Sequence, residues 1–260
     1  MRALSVHPDL IVFISRYWQT SCTAVRAGDE GFVIDSPIYP DELEALSSVT
    51  DQAGFPVSGL LATHADWDHL LGRLAFPDAS LGCGESTAVR LAAEPGAAQR
   101  ELRRFDEEQY VDDRRPLSLG GIQALPVPGR LSLGSGANEL ELYPADGHTA
   151  DGTAYFIPWL GTLVCGDYLS PVEIPWISPG GSIDAYEATL ERLRPLVERA
   201  ATIVPGHGRP QERDEAVKRL DEDLAYLHAL RSEGADAPLP DGRRTDTQRR
   251  IHAENVKQLH

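Results

Sequence analysis

Cysteine, basic side chains and long hydrophobic runs are all scarce in this chain of 260 residues. Its three cysteines, Cys22, Cys83 and Cys165, lie far apart without a Cys-x-x-Cys pair, which argues against a disulfide framework or a zinc knuckle. Lys and Arg number 24 against 40 acidic residues, and this net charge of −16 disfavours nucleic-acid binding. The apolar run from Leu10 to Ile14 is too short for a signal peptide or a membrane span. We therefore expect a cytoplasmic protein that binds neither nucleic acid nor membrane.

The composition is that of a globular protein, with 42% hydrophobic and 25% charged residues. The length allows one large domain, which we place at residues 1–232, followed by a linker and a short helix at 233–260. Strand-like segments outnumber helical ones, and each half of the chain runs from strands into a helix. This order predicts an α+β fold with four αββα layers, in which two mixed sheets carry helices on their outer faces.

The individual elements follow from hydrophobic periodicity and from turn residues. Strands are expected at residues 10–15, 21–27, 32–35, 57–63, 140–145, 153–158, 161–164 and 201–205, with short strands and turns over 117–133. Helices are expected at residues 40–50, 85–110 (broken at Pro95-Gly96), 186–200, 211–231 and 245–260.

Potential metal ligands follow several of these strands. The stretch Thr63-His-Ala-Asp-Trp-Asp-His69, directly after the apolar run at 57–62, provides four of them: His64, Asp66, Asp68 and His69. Three more follow other strand-like segments, namely His148, Asp167 and His207. Imidazole nitrogens and carboxylate oxygens suit zinc, iron or manganese. The sequence therefore predicts one metal site shared between several strand ends.

This series resembles the metallo-β-lactamase fold superfamily over residues 10–210, roughly. The family motif reads His-x-His-x-Asp-His, followed by a later His, a later Asp and a final His. The sequences around the later ligands are similar too: Ala145-Asp-Gly-His-Thr149, Cys165-Gly-Asp167 and Pro205-Gly-His-Gly208. The resemblance implies an αββα sandwich whose metal ions lie between the sheets at one edge.

The resemblance also implies a role for each ligand. His64, Asp66 and His148 would hold the first divalent ion, Asp68, His69 and His207 the second, and Asp167 would bridge them. Zinc is the first expectation for both ions. A water activated by the metals would attack a small ester, thioester, lactone or phosphoester. Asp68 is the expected catalytic residue, because it would orient this water and accept its proton.

Asp66 departs from the motif, since most relatives have histidine at this position. An additional carboxylate lowers the Lewis acidity of the metals and favours harder ions such as iron or manganese. Alternatively, Asp66 does not bind metal itself but hydrogen-bonds one of the ligand histidines. The related flavodiiron proteins carry a glutamate here and bind iron. The alternative hypothesis is therefore a non-hydrolytic diiron or mononuclear iron oxidoreductase or redox sensor.

For the other features that concern the substrate or assembly, the sequence leaves two interpretations open. Trp67 and the loop at residues 171–181, which contains Trp176, either face the substrate or pack in the core. Asp151 either supports the ligands or caps a turn. The tail at residues 245–260 either mediates a homodimer or is solvated. The only partner predicted with a defined chemistry is a small-molecule substrate.

Overall fold

Two β-sheets form the centre of the molecule. The computed structural model describes residues 1–133 and 138–259. The first sheet has seven strands in chain order: β1 (Arg2–His7), β2 (Leu10–Ile14), β3 (Ser21–Ala27), β4 (Glu30–Ile34), β5 (Val57–Ala62), β6 (Ser80–Gly84) and β7 (Gln123–Leu125). Strands β1 to β4 pair antiparallel, and strands β4 to β7 pair parallel.

The second sheet has six strands in the spatial order β13-β12-β11-β10-β9-β8. Their bounds are β8 (Gly129–Leu133), β9 (Asn138–Pro144), β10 (Thr153–Ile157), β11 (Thr162–Val164), β12 (Thr202–Val204) and β13 (Gln211–Glu212). Strands β11 and β12 pair parallel, whereas the other neighbours pair antiparallel. Both sheets are therefore mixed, as predicted.

Helices cover the outer faces of the sheets. They are α1 (Pro40–Gln52), α2 (Gly72–Ala75), α3 (Glu85–Ala93), α4 (Ala97–Gln109), α5 (Ile183–Arg199), α6 (Arg213–Glu233) and α7 (Asp246–Lys257). Short 3-10 segments occur at Trp67–His69, Pro158–Leu160 and Gly234–Asp236. Among the helices of the described residues, none is long and apolar enough to cross a membrane.

Three buried clusters confirm the predicted αββα layers. One cluster lies between the sheets and joins β2 residues such as Val12 to Leu142 and Tyr155 of the second sheet. The other two lie outside the sheets, one under α1 and α4 and one under α5, α6 and α7. Strand β2 contributes to two layers, because successive side chains of a strand point to opposite faces.

Strands β1 and β6 were not expected from the sequence. Strand β1 is exposed along its whole length at the edge of the first sheet, so it lacks the apolar run of a buried strand. Strand β6 reads Ser-Leu-Gly-Cys-Gly, and glycine has a low strand propensity. A side chain at Gly82 would meet those of Leu61 and Leu125, so neighbouring strands fill its place.

The tail packs against the rest of the chain, although the domain division at residue 232 stays a prediction. Arg243 is fully buried, and its Nη1 donates to Asp223 Oδ1 at 2.6 Å and to the Glu173 carbonyl oxygen at 2.7 Å. Ile251 of α7 belongs to the same buried cluster as α5 and α6. Residue 260 lies outside the described residues.

Parallel pairs in both sheets bring the predicted ligand loops to one edge. Ile34 pairs with Leu61 at the end of β4 and β5, and Val164 pairs with Val204 at the end of β11 and β12. The sheets are joined there by the Ser21 amide, which donates to the Gly206 carbonyl oxygen at 2.7 Å. The Thr153 amide likewise donates to the Thr63 carbonyl oxygen at 2.8 Å. The loops that leave these strands therefore meet between the sheets.

Candidate metal centre

The seven predicted ligands lie in these loops. His64 and Asp66 follow β5, Asp68 and His69 occupy the 3-10 segment, His148 lies between β9 and β10, Asp167 follows β11, and His207 follows β12. Six of them form two groups in which the ligand atoms lie within 4.8 Å of one another: His64, His148 and Asp167, and Asp68, His69 and His207. Residues from distant parts of the sequence thus converge at one place.

The Asp167 carboxylate lies among all four histidines. Its Oδ2 is 3.7, 3.3 and 3.4 Å from the Nε2 atoms of His64, His148 and His207. Its Oδ1 is 3.3 Å from His69 Nε2. Ligands about 2.0–2.1 Å from a tetrahedral ion lie about 3.3–3.4 Å apart. The spacing around Asp167 therefore fits a carboxylate that is shared between two ions.

The far side of each imidazole faces a protein oxygen. Each Nδ1 lies near a protein oxygen: His64 is 3.0 Å from Thr63 Oγ1, His69 is 3.0 Å from Asp35 Oδ2, His148 is 2.8 Å from the Trp176 carbonyl oxygen, and His207 is 3.1 Å from the Trp18 carbonyl oxygen. On the near side, the buried Nε2 atoms of His64, His69 and His148 have no hydrogen-bond partner among the described residues. Nitrogen atoms oriented in this way fit metal ligation.

Charges of opposite sign shift the pKa values in the metal-free site. Burial lowers the pKa of His148, but Asp66 and Asp167 outweigh it and raise the pKa to about 9. Burial likewise opposes protonation of His207, but nearby carboxylates, first that of Glu173, raise its pKa to about 10. Although burial raises the pKa of Asp167, the histidines around it hold that pKa well below its usual value. Without metal at neutral pH, His148 and His207 therefore carry protons that metal ions would displace.

Asp66 faces two of the histidines and an arginine. Its Oδ2 is 3.5 Å from His148 Nε2 and 3.7 Å from His64 Nε2. Its Oδ1 accepts a hydrogen bond from Arg90 Nη2 at 2.8 Å. Both positions considered for Asp66, as a ligand or behind a ligand histidine, are compatible with these distances. Its metal ligation stays a prediction, and the Arg90 cation offsets part of the charge of its carboxylate.

Arg90 is the residue that sequence reasoning missed most clearly. Its Nη1 donates to Asp151 Oδ1 at 2.8 Å, so the guanidinium joins Asp151 to Asp66. Asp151 is buried, and its Oδ2 accepts from the Ala65 amide at 2.9 Å, which fixes the backbone between His64 and Asp66. Asp151 therefore supports the ligand loop. Arg90 lies on an Ala- and Glu-rich helix where no local pattern distinguishes it from a solvated residue.

Asp35 also supports the site and was assigned only to a strand. It is buried, adopts a left-handed conformation with φ of 59°, and accepts from the Thr63 amide at 2.8 Å. Its other oxygen is the one that lies beside His69 Nδ1. A signal was available, because an aspartate ends an apolar strand that runs parallel to the ligand-bearing strand β5.

Two glycines of the ligand loops allow close approach. Gly147 of Asp-Gly-His has φ of 126° and lies against the backbone of Tyr186, where a side chain would clash. A side chain at Gly206 of Pro-Gly-His would overlap Asp167 Oδ1. Gly147 therefore lets the His148 loop pack against α5, and Gly206 lets the His207 loop approach Asp167.

A cleft of about 490 Å³ opens onto Asp66, Asp68, Asp167 and His207. The loop expected at residues 171–181 lines it through Glu173, Trp176, Ser178 and Pro179. Trp67 lines the cleft as well, and its ring also packs 4.9 Å from that of Phe105. Trp67 therefore both lines the cleft and packs against the core, and its contact with a substrate stays a prediction. The remaining wall includes Trp18, residues from α3 and α4, and Thr247, Arg250, Ile251 and Glu254 from α7.

Comparison with known protein families defines the class of this protein. The family model of the metallo-beta-lactamase superfamily matches residues 16–207, which contain all seven predicted ligands. The chain therefore belongs to the metallo-beta-lactamase superfamily. Members of this superfamily are typically metal-dependent hydrolases, so membership supports a function of this type.

Individual relatives cover most of the chain. The uncharacterized protein YobT of Bacillus subtilis (strain 168) is 25% identical in an alignment of 221 residues that covers 78% of this chain and 91% of YobT. The metallo-beta-lactamase family protein TTHA1429 of Thermus thermophilus has a TM-score of 0.67 at 18% identity, covering 97% of this chain and 92% of its own. A metallo-beta-lactamase from Pontibacter korlensis has a TM-score of 0.62 at 17% identity, covering 87% of this chain and 98% of its own. At these identities the two structures share the fold.

Proposed function

We propose that this protein is a hydrolase that uses two divalent metal ions, zinc in the first place, on a small ester, thioester, lactone or phosphoester. The observation that carries the proposal is the convergence of four imidazole Nε2 atoms on the Asp167 carboxylate, within 3.3–3.7 Å. Membership of the metallo-beta-lactamase superfamily supports the same type of reaction.

The donor set assigns residues to each ion. His64, His148 and Asp66 would hold the first ion, Asp68, His69 and His207 the second, and Asp167 would bridge them. When bound, the ions supply Lewis acidity and a water whose pKa is lowered toward about 7. The Asp68 carboxylate is buried, lies 3.6 Å from His69 Nε2 and lines the cleft, so it would hold the attacking water and accept its proton.

Arg90 offsets only part of the charge at position 66. A carboxylate at this position brings one more negative charge than the usual histidine. The Arg90 guanidinium lies 2.8 Å from Asp66 Oδ1 and also 2.8 Å from Asp151 Oδ1, so two carboxylates share its single positive charge. The argument for a harder ion such as iron or manganese therefore remains beside that for zinc, and metal analysis decides between them.

The cleft supports a small-molecule substrate. Its volume of about 490 Å³ lies in the range of about 300–1,000 Å³ that is usual for small-molecule sites. Trp18, Trp67 and Trp176 give it apolar surface beside the carboxylates of the metal centre. A cytoplasmic location, a homodimer and the lack of a nucleic-acid partner are further proposals that do not bear on this site.

Metal analysis combined with an activity panel tests the proposal. Protein purified without added metal should contain two equivalents of zinc or manganese by mass spectrometry. It should hydrolyse one of the ester, thioester, lactone or phosphoester probes, lose this activity with a chelator and regain it with zinc. Replacing the proposed proton acceptor, Asp68→Asn, should lower kcat about 10²–10⁴-fold. A matched control is Asp146→Asn, since Asp146 lies near the ligands in sequence but is 43% exposed and pairs with Arg192.

Two results would overturn the proposal. One is protein that binds none of these metals. The other is protein that contains iron, changes its visible absorption under oxygen and hydrolyses no probe. The second result would establish the iron oxidoreductase or redox-sensor alternative.

A further inference from the structure

The C-terminal helix α7 contributes to the cleft although it follows the last predicted ligand, His207, by a long stretch of chain. Thr247, Arg250, Ile251 and Glu254 line the cleft from this helix. The adjoining face of α7 buries Gln248, Ile251 and Asn255, which recur every three or four residues as on one face of a helix. The polar members of this buried face contact the loop that follows Asp167.

Asn255 binds the peptide groups on both sides of Trp176. Its Oδ1 accepts a hydrogen bond from the Ile177 amide at 2.8 Å, and its Nδ2 donates to the Pro175 carbonyl oxygen at 2.7 Å. The same Nδ2 donates to Tyr226 Oη of α6 at 3.0 Å. Asn255 is fully buried, so water does not compete for these bonds. The position of the Trp176 peptide is therefore set from α7.

Trp176 in turn holds His148. The His148 Nδ1 lies 2.8 Å from the Trp176 carbonyl oxygen and donates to it, which directs Nε2 toward Asp66 and Asp167, where it would bind a metal ion once it loses its proton. Ser178, two residues further on, donates to the His148 carbonyl oxygen from its amide at 2.9 Å and from its hydroxyl at 2.8 Å. The loop therefore fixes both the ring and the backbone of His148.

We propose that Asn255 is a positioning residue of the metal centre, which orients His148 by holding the peptide groups on either side of Trp176. The inference rests on the proposed function, because it requires His148 to bind metal. It extends the site beyond the residues that contact the metals, to a helix outside the matched family region at residues 16–207. The direct hydrogen-bond partners of ligand histidines set the orientation and basicity of the ring, and losing one weakens metal binding by about 10–100-fold. Asn255 holds such a partner, the Trp176 carbonyl oxygen, in place.

Gln248 provides a matched control on the same helix. Its Oε1 accepts from the Ile174 amide at 2.8 Å, and the residue is 3% exposed. It thus binds the same loop from a buried position, but it contacts neither peptide group beside Trp176. A merely structural role of α7 predicts similar effects for Gln248→Ala and Asn255→Ala, whereas a positioning role predicts different effects.

The test measures zinc affinity on the full chain by competition with a chelator, together with thermal unfolding of the metal-free protein. Asn255→Ala should weaken the first zinc by about tenfold or more and leave the second unchanged. Gln248→Ala should lower the unfolding temperature while both affinities stay at the wild-type values. With cobalt as the probe, the visible absorption spectrum of the first site should change in Asn255→Ala only.

Asn255→Asp is the second variant, in case the alanine variant does not fold. It keeps an acceptor for the Ile177 amide but loses the donor to the Pro175 carbonyl oxygen, so it should show the same selective loss. Wild-type zinc affinity and cobalt spectrum in a folded Asn255 variant would overturn the inference while the proposed function stands. Wild-type protein that binds no metal would overturn both.

Discussion

Metal binding at this centre should displace protons, and the two ions should displace different numbers. In the metal-free protein, burial opposes protonation of His148 and His207, but the surrounding carboxylates raise their pKa values to about 9 and about 10. Burial also opposes protonation of His69, yet Asp68 and Asp167 raise its pKa well above the usual value. The group proposed for the first ion contains one of these histidines, and the group for the second contains two.

The magnitude follows from mass action. Because a ligand imidazole must lose its proton to bind metal, each displaced proton changes the affinity about tenfold per pH unit below the pKa of that histidine. Between about pH 7 and 9, the affinity for the first ion should rise about tenfold per pH unit. The affinity for the second should rise more steeply than that for the first, since His69 and His207 would both lose a proton.

Two measurements check this expectation. Zinc affinities from chelator competition at about pH 7, 8 and 9 give the slopes, and calorimetry in buffers with different heats of ionisation counts the protons released. His228→Asn is the control, because His228 is 68% exposed and outside the cluster, and its slopes should match the wild type. Affinities that do not change with pH, or equal slopes for the two ions, would refute the reasoning.

Three further predictions concern single groups. Gly206→Ala places a methyl group where Asp167 Oδ1 lies and should lower bound metal, with affinity falling about 10–100-fold by mass spectrometry and chelator competition. Arg90→Ala should lower the free energy of unfolding, measured with denaturant, by about 1.5–3 kcal/mol. Arg90→Lys should recover only part of this free energy, since an ammonium lacks the planar guanidinium that joins two carboxylates. The raised pKa of His148 means that its protonation stabilises the metal-free protein. This stabilisation is fully present below about pH 6.5 and is lost as the pH rises through about 9. The calorimetric Tm of that form should therefore fall from about pH 7 to 10, while that of the zinc form should fall less.

Each of these predictions has an outcome that would contradict it. Wild-type metal content in Gly206→Ala would contradict the first prediction. Gly59→Ala is its control, because the added methyl group would meet Phe32 Cβ at an ordinary contact distance of 3.6 Å. For Arg90 the contradicting outcome is equal stability of the alanine and lysine variants. For His148 it is a Tm of the metal-free protein that rises between about pH 7 and 10.

The sequence predicted the layers of the fold because the signals are local. Most buried strands are apolar runs that end at turn residues, and the ligands follow those runs directly. Val57–Ala62 followed by His64 shows both signals within a few residues. The antiparallel edge strand β1 and the glycine-containing strand β6 lack the apolar run, and for this reason they were missed.

The groups that support the ligands depend on contacts that no local pattern records. Arg90 reaches Asp66 and Asp151 only because α3 packs beside the ligand loop. Asn255 reaches the Trp176 peptide only after α7 folds back over the second sheet. Ligand types recur at strand ends and can be read from the chain, whereas the partners behind them are chosen by tertiary packing.

The metal ligands and part of the cleft lining come from different regions of the chain, and this affects how the substrate specificity could change. All seven proposed ligands lie within residues 16–207, whereas Thr247, Arg250, Ile251 and Glu254 reach the cleft from beyond that region. Thr247, Arg250 and Glu254 can therefore be exchanged to admit differently shaped molecules without altering a single metal ligand. The adjoining buried face, with Gln248, Ile251 and Asn255, does not share this freedom, so a redesign of α7 must vary the first set and preserve the second.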